Sequence, residues 1–169
     1  MRTKAAWLAF AVATGCGTQA AVGQAPTVDR VVLQNDIAHR LAEAGEAPRS
    51  VSCQDDLVGE VGRGARCDVV MDDVNSFQPI ATVTSVDGES VDYQLTPALS
   101  QAQLEQAVSR LVVEKSGGPV HSVACEAGLE GKPEAVVYCD VDAAGVRARR
   151  AVKVTDVSGL TMNFILLTN

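Results

Sequence analysis

The chain carries one hydrophobic–polar pattern twice. Val91, Tyr93 and Leu95 alternate with Asp92 and Gln94, and 71 positions later Met162, Phe164 and Leu166 stand in the same alternation. A period of two marks a strand with one buried face. Each run is the second arm of a hairpin: Ile80–Val86 turns at Asp87-Gly88 into Ser90–Leu95, and Ala151–Val157 turns at Ser158-Gly159 into Leu160–Leu166. At the head of each copy the period lengthens to that of a helix. Val28, Val31, Val32, Ile37 and Leu41 define a helix from about Val28 to Ala44, with Thr27 as its N-cap and Gly45–Pro48 as its stop. Leu104, Ala107, Val108 and Leu111 form the stripe of a second helix, which Ser100 and Gln103 open with the spacing of a capping box and Gly117-Gly118-Pro119 closes.

Between helix and hairpin, each copy has two short strands marked by cysteine. Ser50–Cys53 and Ala65–Val69 have counterparts in Ser122–Cys125 and Val137–Val141, with Leu57 and Leu129 each four residues after the first cysteine. Cys53 and Cys67 are fourteen apart, Cys125 and Cys139 are fourteen apart, and each lies 72 positions after its counterpart. The offset falls to 71 in the hairpins, so the second copy lacks one residue between its second cysteine and its hairpin. Agreement of cysteine spacing, turn position and apolar register defines an internal duplication. The predicted fold class is α+β: two tandem repeats, each an N-terminal helix packed on a four-stranded antiparallel sheet, with one disulfide per repeat.

The remaining cysteine concerns export. Met1–Lys4 is a short positive segment, Ala5–Ala13 is apolar, and Ala13-Thr14-Gly15 places small residues before Cys16. This reads as a secretory signal peptide ending in a bacterial lipobox, with Ala13 where that pattern usually has leucine. Nine apolar residues are too few to span a bilayer, which needs about 20 in a helix. The expected organisation is a signal peptide over residues 1–15, a lipidated Cys16 with a flexible tether to residue 27, a first repeat over 28–96 and a second over 97–169. The expected location is the outer face of the cytoplasmic membrane, held by lipid.

Charge and chemistry narrow the function. The formal charge is −7, and loss of Arg2 and Lys4 with the leader makes it −9, which argues against nucleic acid as a partner. Cysteine spacing of fourteen in an exported chain favours disulfides Cys53–Cys67 and Cys125–Cys139 over zinc, whose ligands come in close pairs. No Cys-x-x-Cys is present. His39 and His121 are the only histidines, and neither sits in a catalytic motif. The acidic pairs Asp55-Asp56 and Asp72-Asp73, and Asp140 with Asp142, lack the spacing of a calcium loop and read as solvated. No metal and no cofactor is expected. The one basic cluster is Arg147, Arg149, Arg150 and Lys153; residues 147, 149 and 153 share a face on a strand, and the matching stretch of the first copy carries Ser76, Gln78 and Thr82. It is a candidate surface for an anionic cell-wall component or an envelope protein.

Each copy resembles domain of unknown function 4333, a small domain of actinobacterial lipoproteins and secreted proteins. Val51-Ser52-Cys53-Gln54-Asp55-Asp56-Leu57 and Val123-Ala124-Cys125-Glu126-Ala127-Gly128-Leu129 fit its Val-x-Cys-Pro motif and following leucine, without the proline. The resemblance implies an envelope location and a disulfide, and implies no chemistry. The tandem architecture is also similar to that of the β-lactamase inhibitory proteins. The expectation is therefore a non-catalytic binding module, with an inhibitor or regulator of an envelope enzyme as the alternative, and a hydrolase assembled between the domains as the third.

Overall fold

Each helix starts where a side chain can take its unsatisfied N–H groups. In the computed structural model, which describes residues 25–72 and 75–167, the first repeat runs β1 (Thr27–Val28), α1 (Arg30–Glu43), β2 (Ser50–Cys53), β3 (Leu57–Val58), β4 (Gly64–Val70), β5 (Ser76–Phe77), β6 (Ile80–Asp87) and β7 (Ser90–Thr96). The second runs β8 (Ala98–Leu99), α2 (Gln101–Ser116), β9 (Val120–Cys125), β10 (Leu129–Glu130), β11 (Val136–Ala143), β12 (Val146–Ser158) and β13 (Thr161–Leu167). The expected leader, Cys16 and most of the tether lie outside the described residues, as does Asp73.

Ser100 caps α2 and Gln103 reaches back to the Ser100 N–H at 2.9 Å, completing the capping box. The cap of α1 is Asp29, whose carboxylate accepts from the Val31 N–H at 2.7 Å; Thr27 instead belongs to β1. Asp29 lies 71 positions before Ser100, so the two caps are equivalent. The start of α1 moves from Val28 to Arg30, and its buried stripe is Leu33, Ile37 and Leu41. Val31 and Val32 are more than half exposed, because the true stripe runs through Leu33 at helical spacing. In α2, Leu104 and Val108 are fully buried.

The strands of each repeat are consecutive antiparallel neighbours, β2-β4-β6-β7 and β9-β11-β12-β13. The cysteines are register partners, Cys53 opposite Cys67 and Cys125 opposite Cys139, and both disulfides are formed. β2 and β9 are edge strands, so the N–H of Cys53 and of Cys125 has no strand partner. The helix supplies one: Gln34 Oε1 accepts from Cys53 N–H and Glu105 Oε1 accepts from Cys125 N–H, each at 3.0 Å. Each repeat also has a two-residue bridge absent from the four-strand expectation. β1 pairs with β3 and β8 with β10, which buries Leu57 and Leu129 completely. Gly59 and Gly131 accompany these bridges, donating to Pro26 and Pro97 carbonyls at 2.7 Å. A Cβ on either would lie within 2.6 Å of that proline, so the approach requires glycine.

The third strand differs between repeats. β12 is continuous for 13 residues, whereas the first repeat divides it into β5 and β6. Val69 faces Phe77 and Val70 faces Ser76 as Val141 faces Ala148 and Asp142 faces Arg147. Pro79 sits between the two pieces where Arg150 sits in β12, and proline has no N–H for a central ladder. The residue missing from the second copy falls between Met71 and Asn75 of the first, whose equivalents are Ala143 and Val146. Both hairpins carry a bulge at equivalent sites, Thr84 and Thr155, which turns Val86 and Val157 back toward the core.

The repeats pack on one another. Gln78 N–H donates to the Ala98 carbonyl at 2.7 Å, Gln103 Nε2 donates to Ser76 Oγ at 3.1 Å, and Leu160 at the second hairpin's tip packs on the first core. The connection Thr96–Leu99 is thus held by strand pairing on both sides and is not a loose joint. Leu33→Ala should destabilise the protein by about 2–5 kcal/mol, while Val31→Ala should change stability by less than about 0.5 kcal/mol. Urea unfolding of the two oxidised variants checks this order, and equal effects would contradict the observed stripe.

Candidate functional site

With its helix on one side, each sheet leaves its other face open, and the two open faces differ in character. On β12 the residues pointing to this face are Arg147, Arg149, Ala151 and Lys153, because Val152 and Val154 point to the core. Arg150 points the other way, toward the helix side, so the four-residue basic cluster is divided between two faces. The three cations on the open face are paired. Arg147 Nε donates to Asp142 Oδ2 at 2.9 Å, Arg149 pairs with Glu126, and Lys153 Nζ lies 2.5 Å from Glu134 Oε2. The carboxylate of Asp142 raises the Arg147 pKa through its hydrogen bond. Arg149 also lies over the Tyr138 ring, 4.9 Å from its centroid, a cation–π contact. A depression of about 440 Å³ lies over Ser122, Asp140, Arg147 and Arg149.

Beside these pairs is an apolar block set by register. Val136, Lys153 and Ile165 form one row across β11, β12 and β13, and Tyr138, Ala151 and Leu167 form the next. Val136, Tyr138, Ile165 and Leu167 are 37–44% exposed. The equivalent positions of the first repeat are Gly64, Arg66, Gln94 and Thr96, in rows Gly64–Thr82–Gln94 and Arg66–Ile80–Thr96. That face carries hydrogen bonds such as Gln78 Nε2 to Asp68 Oδ1 at 2.9 Å, and Arg66 is 3.8 Å from Glu130 of the second repeat. The matching of Ser76, Gln78 and Thr82 to Arg147, Arg149 and Lys153 follows the same registers.

The first repeat has a polar cluster of its own beneath its helix. Tyr93 Oη donates to Asp36 Oδ2 at 2.8 Å, and Arg40 Nε donates to both Asp36 oxygens at 3.0 and 3.1 Å. Burial, then the hydrogen bond to Asp36, push the Tyr93 pKa from 10.0 up to about 12. The hydrogen bond to Asp36 also raises that of Arg40. The second repeat replaces this triad with Ala107, Leu111 and Phe164.

The other sequence candidates are not brought together. His39 Nδ1 lies 3.4 Å from Glu43 on an exposed helix face, and His121 is exposed on β9. Asp56 accepts from the Arg30 N–H at 2.9 Å, and Asp72 accepts from both nitrogens of Asn75 at 2.7 Å. The four paired cysteines are oxidised and offer no thiolate to a metal. Among the described residues no group of three or more His, Cys, Asp or Glu could hold a metal ion, and no helix is long and apolar enough to cross a membrane. The apolar block was missed by sequence reasoning, although alternation predicts it: Val136, Tyr138, Ile165 and Leu167 fall on the parity opposite to the core residues of their strands.

The architecture is a tandem α+β duplication with one cross-strand disulfide per repeat. The chain matches the family described as domain of unknown function (DUF4333) over residues 11–88 and again over 90–159, and it belongs to that family. No curated protein and no solved structure matches it.

The raised Tyr93 pKa has a signed consequence. The phenol ionises near 10.0 in the unfolded chain and near 12 in the folded one, so the stability due to this contact is complete below pH 10 and is lost as pH rises toward 12. Tyr93→Phe should cost about 1 kcal/mol at neutral pH and flatten the decline between pH 10 and 12. Phenolate absorbance together with denaturant unfolding across that window tests it; an unaltered alkaline decline in Tyr93→Phe would count against the assignment.

Proposed function

We propose that this protein is a non-catalytic binding module of the bacterial cell envelope, and that it holds a protein partner on the open sheet face of its second repeat. One observation carries the reading. Gly64, Arg66, Gln94 and Thr96 of the first repeat are replaced, at adjacent register positions, by exposed Val136, Tyr138, Ile165 and Leu167. Folding gains nothing from apolar side chains left in water, whereas an aromatic and aliphatic block bordered by charge is the anatomy of a protein interface. The pairing of Arg147, Arg149 and Lys153 with carboxylates favours a protein over a polyanion, because a polyanion would have to displace acidic neighbours already in place.

Display outside the cytoplasmic membrane is part of the same proposal. It is supported by the Ala5–Ala13 apolar run, by Gly15-Cys16 and by two disulfides that an exporting route permits, and it takes acylation of Cys16 as the anchor. The same proposal takes the protein to be an actinobacterial lipoprotein.

Tyr138→Asp and Ile165→Lys should each weaken capture of an envelope partner by about 2 kcal/mol, roughly thirtyfold in Kd. Thr82→Lys on the open face of the first repeat should leave capture unchanged. Crosslinking in cells followed by affinity measurement with the captured protein reads the effect, and equal capture by all three variants would reject this face. The anchor is checked separately: Cys16→Ser should release the protein from membranes, and the wild-type protein should show the added mass of its acyl chains.

A further inference from the structure

On the helix side of the second sheet, an apolar groove of about 270 Å³ runs between the last turn of α2 and the β11–β12 hairpin. Register equivalence identifies its counterpart in the first repeat. There Leu41, Met71 and Phe77 stand where the second repeat has Val112, Ala143 and Ala148. Leu160, from the tip of the β12–β13 hairpin, packs on the first core and shares a cleft with Leu41, Met71 and Phe77. The first groove is therefore walled on one side by an aliphatic side chain delivered from the other repeat.

The second groove is built to the same plan, and its lining includes no residue from the other repeat. All three lining residues are smaller than their counterparts, and Val146 at its edge is 65% exposed. Two cations have been added. Lys115 and Arg150 line the groove where the first repeat has Ala44 and Pro79, and among the described residues neither makes a salt bridge or hydrogen bond to another side chain. The other cations of this sheet, Arg147, Arg149 and Lys153, all have carboxylate partners. A second copy of the chain is a poor occupant. Its own first-repeat tip presents Glu89 at the position of Leu160, so that tip has no aliphatic group to insert in the same way.

We propose that this groove binds an amphiphile with a single alkyl chain and a terminal anion. The chain occupies the space that Leu160 takes in the first repeat, and the anion meets Lys115 and Arg150. This site lies on the opposite side of the sheet from the protein-binding face and stands independently of it.

The test uses the full chain carrying Cys16→Ser, so that its own acylation cannot fill the site, purified with both disulfides formed. Dodecanoate, kept below its micellar concentration, should bind at one saturable site in calorimetry with a negative heat-capacity change. Dodecanol, with the same chain and no charge, should bind about tenfold more weakly. Ala148→Phe, which restores the bulk of Phe77, should abolish binding of both. Lys115→Ala combined with Arg150→Ala should remove the preference for dodecanoate while retaining the affinity for dodecanol; these side chains are solvent-accessible, so this variant remains informative if Ala148→Phe fails to fold. Absence of saturable dodecanoate binding, equal affinity for the two probes, or binding unaltered in the variants would overturn the proposal. Concentration-dependent self-association that Ala148→Phe removes would assign the groove to another copy of the chain and overturn it as well.

Discussion

The cross-strand disulfide is the constraint on which each repeat depends, because it joins three elements at once. It links the edge strand to its neighbour covalently. It also fixes the edge-strand cysteine so that its outward N–H meets Gln34 or Glu105 from the helix. Helix docking and strand pairing are thereby tied to one position. A repeat of about 70 residues buries only about 60% of its unfolded surface, and closing a loop of about 15 residues contributes about 3 kcal/mol in the chain-entropy account. That is a large share of the stability such a small unit can have. It leaves the rest of the sheet free to change its outward residues without loss of fold.

The two repeats have used that freedom differently. The first ties partly exposed polar residues to one another, in the Tyr93–Asp36–Arg40 cluster and in bonds to the second repeat. The second is apolar beneath its helix and exposes apolar groups on its open face. Pro79 and Arg150 mark the same divergence at one register position. Proline breaks the strand where the first repeat adjoins β8, whereas arginine lets β12 run on as a continuous ladder. Divergence is therefore concentrated where the repeats meet and where they face outward, and the cores keep the same positions.

Much of the fold was legible because the duplication repeats its signals. Both hairpins, the cysteine pairs, the second helix and its capping box follow from alternation and spacing. The first N-cap is Asp29 and not Thr27, and Asp29 is the position 71 before Ser100. The stripe through Val31 and Val32 failed because three valines and a leucine in Val28–Leu33 fit more than one helical phase, and only packing selects Leu33. The two-residue bridges were invisible, as strands that short carry no period. The bulges had a faint trace: Val83 and Val86 both face inward although three positions apart, which simple alternation forbids. Of the candidate site, the basic residues were evident and their divided placement followed from parity. Their carboxylate partners were not, because Glu126 and Glu134 lie in turns whose reach no local pattern reports.

Seating of Leu160 on the preceding repeat has a consequence for assembly. A contact in which one unit's tip enters the groove of the unit before it is directional, and such contacts propagate in solenoids until something ends the series. The tip of the first repeat carries Asp87-Gly88-Glu89, whose charge and lack of aliphatic bulk do not suit it to the contact that Leu160 makes.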